Sequence, residues 1–216
     1  MARQAVPPSA TDDEVRRLLD RYKCPVPFHV VRTRFLGNIA SPGIAESPMK
    51  AVSALWGGEL PEFESLDAAN ELIAALVMGL WNRLTRHQQR SAPFRLTRLE
   101  VSATREGLAK LASLRREELE GFVEGLFGAN ESLDLPERAH KAMDVLANIR
   151  AMLEASWELA RDPTKPADPA EVAVTLGHFR ELTRIAEHEM HEAVLSCTRA
   201  RRQMMHRSPA TKPVLH

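Results

Sequence analysis

Eleven consecutive uncharged residues, Leu72–Asn82, lie inside the stretch LPEFESLDAANELIAALVMGLWNRLTRH, which runs from Leu60 to His87. Ser65 is placed to cap a helix, and Asp67 and Glu71 suit the positive end of its macrodipole. Ala69, Ile73, Leu76, Leu80 and Leu84 then recur at helical spacing. A helix that is apolar nearly all round is normally buried on most sides. Spanning a bilayer takes ~20 apolar residues, so this run predicts the central helix of a soluble core. No other segment reaches transmembrane length, and no membrane association is expected.

The remainder of the chain is read around that helix. Thr11-Asp12-Asp13-Glu14 forms a capping box for a helix reaching Arg21, with Val15, Leu18 and Leu19 inward. A second helix is expected over Phe28–Ala40. A third starts at Ser47-Pro48 and stops at Trp56-Gly57-Gly58, whose glycines suit a left-handed cap. Residues 93–103 read as a connector, and this is the one place where a strand would fit. Helical period returns from Thr104 with Leu108, Leu111, Ala112, Leu119, Phe122 and Leu126. Arg115 and Glu118 share that face, which suggests a bend near Ser113, and Gly128 ends the helix. Asp134, with Pro136 and Glu137, is expected to cap the next helix. After a proline-spaced linker at 162–166, Asp168 caps a final helix from Pro169 to about Met205.

The fold class is therefore all-α, a bundle of about seven helices with a buried central helix and a long C-terminal helix. Residues 1–10 read as a disordered lead-in, 11–206 as one domain with 11–92 and 104–206 as candidate sub-lobes, and 207–216 as a flexible tail. Charged residues at 27% and apolar residues at 44% exclude global disorder. Lys+Arg and Asp+Glu are equal at 29 each, so no net field gathers nucleic acid or anionic membrane. The two cysteines, Cys24 and Cys197, fit no disulfide or metal-knuckle pattern and read as reduced thiols. The N-terminal residues lack a secretory apolar region, so a cytoplasmic location is expected.

Chemistry-bearing residues are sparse. His188 and His191 stand three apart on the last helix, as do Glu189 and Glu192, a spacing that can bring metal ligands together. It is not the zinc-protease spacing, and His188 falls about 200° around the helix from Ala186, away from the apolar stripe. A solvated helix face is the reading adopted. A metal or acid–base site on His188, His191 and Glu192 is the alternative. Glu59, Glu62, Glu64, Asp67 and Glu71 are explained by the helix start they surround, and Arg199, Arg201, Arg202, Arg207 and Lys212 by the helix end. A nucleic-acid role for the basic end is not expected without interleaved aromatics. Gly121 and Gly125 each cost up to ~1 kcal/mol in a helix interior, and close helix packing is the expected compensation. With no phosphate-binding glycine loop and no nucleophile elbow, neither an enzyme nor a cofactor is expected.

Several short motifs follow one another along the chain. These are Phe35-Leu36-Gly37, Trp56-Gly57-Gly58, Leu60-Pro61-Glu62-Phe63-Glu64-Ser65, the uncharged helix through Leu76 ending Leu80-Trp81-Asn82, and Gly121-Phe122-Val123-Glu124-Gly125. Together they resemble the YecA/YgfB family of bacterial proteins over about residues 28–128. The resemblance implies an all-helical cytoplasmic protein without established enzymatic activity that acts through protein contacts. It also implies a motif core of Phe35, Trp56, Pro61, Phe63, Leu76, Leu80, Trp81, Gly121, Phe122 and Gly125. Longer members of that family carry a cysteine-rich zinc segment, which two cysteines cannot supply. The expectation is a non-catalytic helical adaptor or regulatory protein, with a protein partner and a homodimer formed through the 169–205 helix. A metal-binding protein or metal-dependent enzyme using His188 and His191, or a nucleic-acid-associated protein using the basic end, are the alternatives.

Overall fold

A computed structural model describes residues 10–42, 47–130, 132–164 and 168–207. The expectations for a lead-in at 1–9, for the linker residues 165–167 and for a tail from 208 onward lie outside the described residues. Among the described residues the fold is an all-α bundle with no strand. Helix α1 spans Asp12–Arg21, α2 Phe28–Ala40, and α3 Pro48–Ser53, which tightens into a 3-10 turn over Ala54–Trp56. A rod follows, built from α4 (Leu66–Ile73), a π-helical stretch (Ala74–Trp81), α5 (Asn82–Thr85) and a 3-10 turn (Arg86–Gln88). Helices α6 (Arg105–Phe127), α7 (Glu137–Arg161) and α8 (Pro169–Arg207) complete the chain.

The helix starts follow from local chemistry. The Thr11 hydroxyl accepts from the Glu14 amide at 3.2 Å while the Glu14 carboxylate accepts from the Thr11 amide at 2.6 Å, a complete capping box. Ser65 caps α4 through the Ala68 amide, and Thr104 caps α6 through the Gly107 amide. Gly57 ends the third helix at φ 81°, a left-handed conformation that glycine adopts without steric cost. At α7 the expected Asp134 cap is not used. Pro136 occupies the cap position with no side-chain hydrogen bond, because its ring fixes the entry conformation but carries no acceptor for the first-turn amides.

The helix that fills the centre is α2, which lies against α6 in the most extensive helix pair. Ten of its thirteen residues are buried. Its crossing with α6 is close because both helices carry glycine at the contact. A methyl group on Gly37 would strike the backbone of Phe122, Gly125 and Leu126, and one on Gly125 would strike the Arg34 carbonyl. The buried Asn38 amide donates to the Gly125 carbonyl at 2.8 Å across the same contact, and Arg34 pairs with Glu124. Close packing is thus the compensation for Gly121 and Gly125. It also joins the two halves of the chain, since one continuous apolar core runs from Val15 to Cys197.

The rod from Leu66 to Gln88 is one-sided rather than central. Leu72, Leu76, Leu80 and Leu84 are buried, but Met78 is 61% exposed and Ala74 and Asn82 face solvent. An uncharged run sets how much surface a helix could bury, and the neighbours available set how much it does bury; here α1, α2 and α3 cover one side only. The motif aromatics hold that side. Trp81 meets Phe35 edge-on at 5.3 Å, Phe63 meets Tyr22 at 5.2 Å, and the Trp56 indole donates to the Tyr22 carbonyl at 3.0 Å. Helix α6 has no bend at Ser113. It runs unbroken because Arg115 and Glu118, the two charges on its apolar face, are buried as a pair.

Candidate functional site

The polar groups with the most consequence converge on the connector between the rod and α6. Residues 93–100 form no regular structure, so their backbone groups need partners from elsewhere. Those partners are side chains of three helices. From α6, Glu118 accepts from the Thr97 amide at 2.7 Å and Arg115 donates to the Thr97 carbonyl at 2.7 Å. From α8, Glu187 accepts from the Leu96 amide at 2.9 Å and pairs with Arg95 at 2.6 Å. From α2, Arg32 donates to the Arg95 carbonyl at 3.0 Å and to the Thr97 hydroxyl at 3.3 Å. Arg115 and Glu118 pair with each other, and the Arg115 Nε donates to the Thr183 hydroxyl on α8 at 3.1 Å. Glu118 is wholly buried. Burial pushes the Arg32 pKa down, opposed by the charges of Asp12 and Glu118. The connector is therefore a seam that locks α2, α6 and α8 together.

Glu187 belongs to the acidic and histidine-rich run of α8, so the reading of that run as a solvated face holds only in part. His188 is exposed, whereas Glu187 and His191 are buried. Glu189 and Glu192 pair with Arg138 of α7 at 2.6 and 3.4 Å. Three different surroundings thus receive His188, His191 and Glu192. Among the described residues no group of three or more His, Cys, Asp or Glu side chains is placed to hold a metal ion.

His191 instead faces the end of the rod. Neither of its ring nitrogens reaches a hydrogen-bond partner, although the Arg90 backbone lies close enough to favour the charged ring. His87 sits nearby, its Nδ1 2.7 Å from the Ala92 carbonyl and its ring edge-on to Phe94. Burial lowers the pKa of both rings. His87 is lowered further by His191, Arg86 and Arg32, and His191 by His188 and Arg95, while Glu192 opposes the shift at His191. Both rings are thus held neutral, and the unfolded chain binds protons first as pH falls. Stability is expected to be complete above the ordinary histidine value of 6.5 and to be lost as pH drops below it. The melting temperature should fall as pH is lowered from about 7.5 to about 5. His191→Gln should flatten that fall, and a wild-type curve level across this window would refute the assignment. The hydrogen-bonded carboxylates of Glu14, Glu106 and Glu137, shifted below their ordinary 4.5, act at lower pH.

No protein-family model, curated protein or solved structure matches the chain.

Other candidate residues take structural places. Phe35, Leu76, Leu80, Trp81, Phe122, Gly121 and Gly125 are buried, and Trp56, Pro61 and Phe63 are half-buried. Arg201, from the basic end, donates to the Ile39 and Ser41 carbonyls at 3.0 Å each, satisfying the C-terminus of α2. Arg21 bridges Glu64 and Glu71 of the acidic cluster at 2.5 and 3.6 Å. Cys24 and Cys197 are free thiols, and burial pushes Cys197 up to about 11, so it carries no thiolate at neutral pH. No helix among the described residues is long and apolar enough to cross a membrane.

The surface offers one feature that charge and period left hidden. Between the C-terminal half of α6 and the N-terminal half of α7 lies a groove of about 440 Å³. Val123, Phe127, Leu133, Leu135 and Met143 line it, and the Arg150–Glu120 ion pair and the polar side chains of His140 and Asp144 stand at its edge.

Proposed function

We propose that this chain is a non-catalytic helical adaptor that receives the apolar face of an amphipathic helix from a protein partner in the α6–α7 groove. The observation that carries this reading is the groove itself, whose apolar walls and charged rim have the anatomy of a helix-in-groove site. The kinship with the YecA/YgfB family, and with it a cytoplasmic role in bacteria, is part of the same reading and rests on the motif residues. Self-association through the 169–205 helix has less support. The apolar stripe of α8 from Val172 to Cys197 packs on α6, α7, α2 and the end of the rod, so that part of its length is accounted for within one chain.

Selection of displayed helical peptides against the folded protein tests the proposal. Enriched peptides should carry apolar anchors at helical spacing. Ala147→Arg, at an exposed position lining the groove, should weaken them at least about tenfold, equivalent to ~1.4 kcal/mol, with the melting temperature unchanged. Failure to enrich such peptides, or binding indifferent to Ala147→Arg, would overturn it.

A further inference from the structure

Against the N-terminal half of α6, next to the connector seam, a second cleft of about 490 Å³ opens between residues 98–101, α6 and α8. Leu99, Val101, Leu111 and Leu176 supply its apolar walls, and Arg98, Arg115 and Arg180 line it together with Thr183 and Glu100. The three arginines differ in state. Arg98 is exposed and pairs with Glu100 at 3.0 Å. Arg180 is exposed and has no hydrogen-bond or ion-pair partner among the described residues. Arg115 is the anchor. Its side chain is only 7% exposed, and its position is set by Thr183, Glu118 and the Thr97 carbonyl.

A guanidinium has five N–H groups in a planar fork. The three bonds of Arg115 leave one N–H on each Nη without a protein acceptor. Charge-assisted N–H donors of a guanidinium suit the oxygens of a carboxylate. Charge selects among anions as well. Arg98, Arg115 and Arg180 stand against Glu100 and Glu118, so three positive charges meet two negative ones and a single positive charge is left over. One surplus charge suits a monoanion better than a dianion. The leucine and valine walls require that the anion bring an apolar body with it.

We propose that this cleft binds a small amphiphilic carboxylate, with its head on Arg115 and Arg180 and its apolar body along Leu99, Val101 and Leu176. The site is separate from the α6–α7 groove and does not depend on the adaptor reading. Octanoate is the probe, titrated into the full chain by calorimetry beside octanol and octyl phosphate. One octanoate should bind per chain, octanol should not saturate, and octyl phosphate should bind more weakly than octanoate. Arg180→Gln, exposed and unpaired, should weaken octanoate about tenfold while leaving the melting temperature of the free protein unchanged. Leu99→Asn should weaken it too, by shortening the apolar wall. Absence of saturable octanoate binding, tighter binding of octyl phosphate, or octanoate binding indifferent to Arg180→Gln would each overturn the assignment.

Discussion

A chain ended at Thr164, lacking α8, should not fold. Helix α8 contributes Val172, Leu176, Phe179, Met190 and Val194 to the core, all buried. Burying five such side chains is worth roughly 7–15 kcal/mol. The net stability of a domain is ~5–15 kcal/mol. The loss would be comparable with all the stability available, before counting the apolar faces of α6 and α7 left bare. Two polar losses add to it. Without Glu187 the buried Leu96 amide has no acceptor, and without Arg201 the last carbonyls of α2 lose their donor. Circular dichroism and size exclusion of the shortened chain should report an expanded or aggregated species without a cooperative melt. A folded monomer with a sharp transition would show that α8 is an appendage and would return its long stripe to the role of an assembly surface.

The sequence made the local devices legible and left the long-range polar ones hidden. The bounds of α2, the Thr11 box, the Gly57 cap and the close-packing role of Gly121 and Gly125 all follow from residue types within a few positions of one another. Arg115 and Glu118 were misread as a bend because the groups that justify their burial lie elsewhere in the chain. Thr97 is 21 residues from Glu118, and Thr183 is 68 residues from Arg115. The role of Glu187 is hidden for the same reason, being set by an amide 91 residues away. Helical phase says which face is apolar, and a charge on that face looks like an error until its distant partner is known. The rod was misjudged in the opposite sense. Its composition allowed burial all round, but with α1, α2 and α3 on one side nothing is left to cover Met78. Neither the groove nor the cleft could be seen in one dimension, since each is walled by three segments that only the fold brings together.

Replacing Glu118 alone should be the most damaging single substitution in the chain. Glu118→Leu removes the partner of a guanidinium whose side chain is 7% exposed and leaves that charge buried without compensation. Breaking one half of a buried pair typically costs 3–5 kcal/mol, about half the stability of an ordinary domain. The double variant Arg115→Met, Glu118→Leu should be less destabilised than Glu118→Leu, because the stranded charge goes with its partner. It should not return to wild type. The Thr97 N–H and C=O, both only part-buried, would lose their acceptor and donor, and each orphaned group costs up to ~1–3 kcal/mol. Urea unfolding of the wild type, the single variant and the double variant separates the two effects. A double variant as stable as wild type would mean that water or a rearranged connector satisfies Thr97. A double variant no better than the single one would place the whole cost on the connector backbone, making the pair a clamp on residues 96–97 rather than an electrostatic unit.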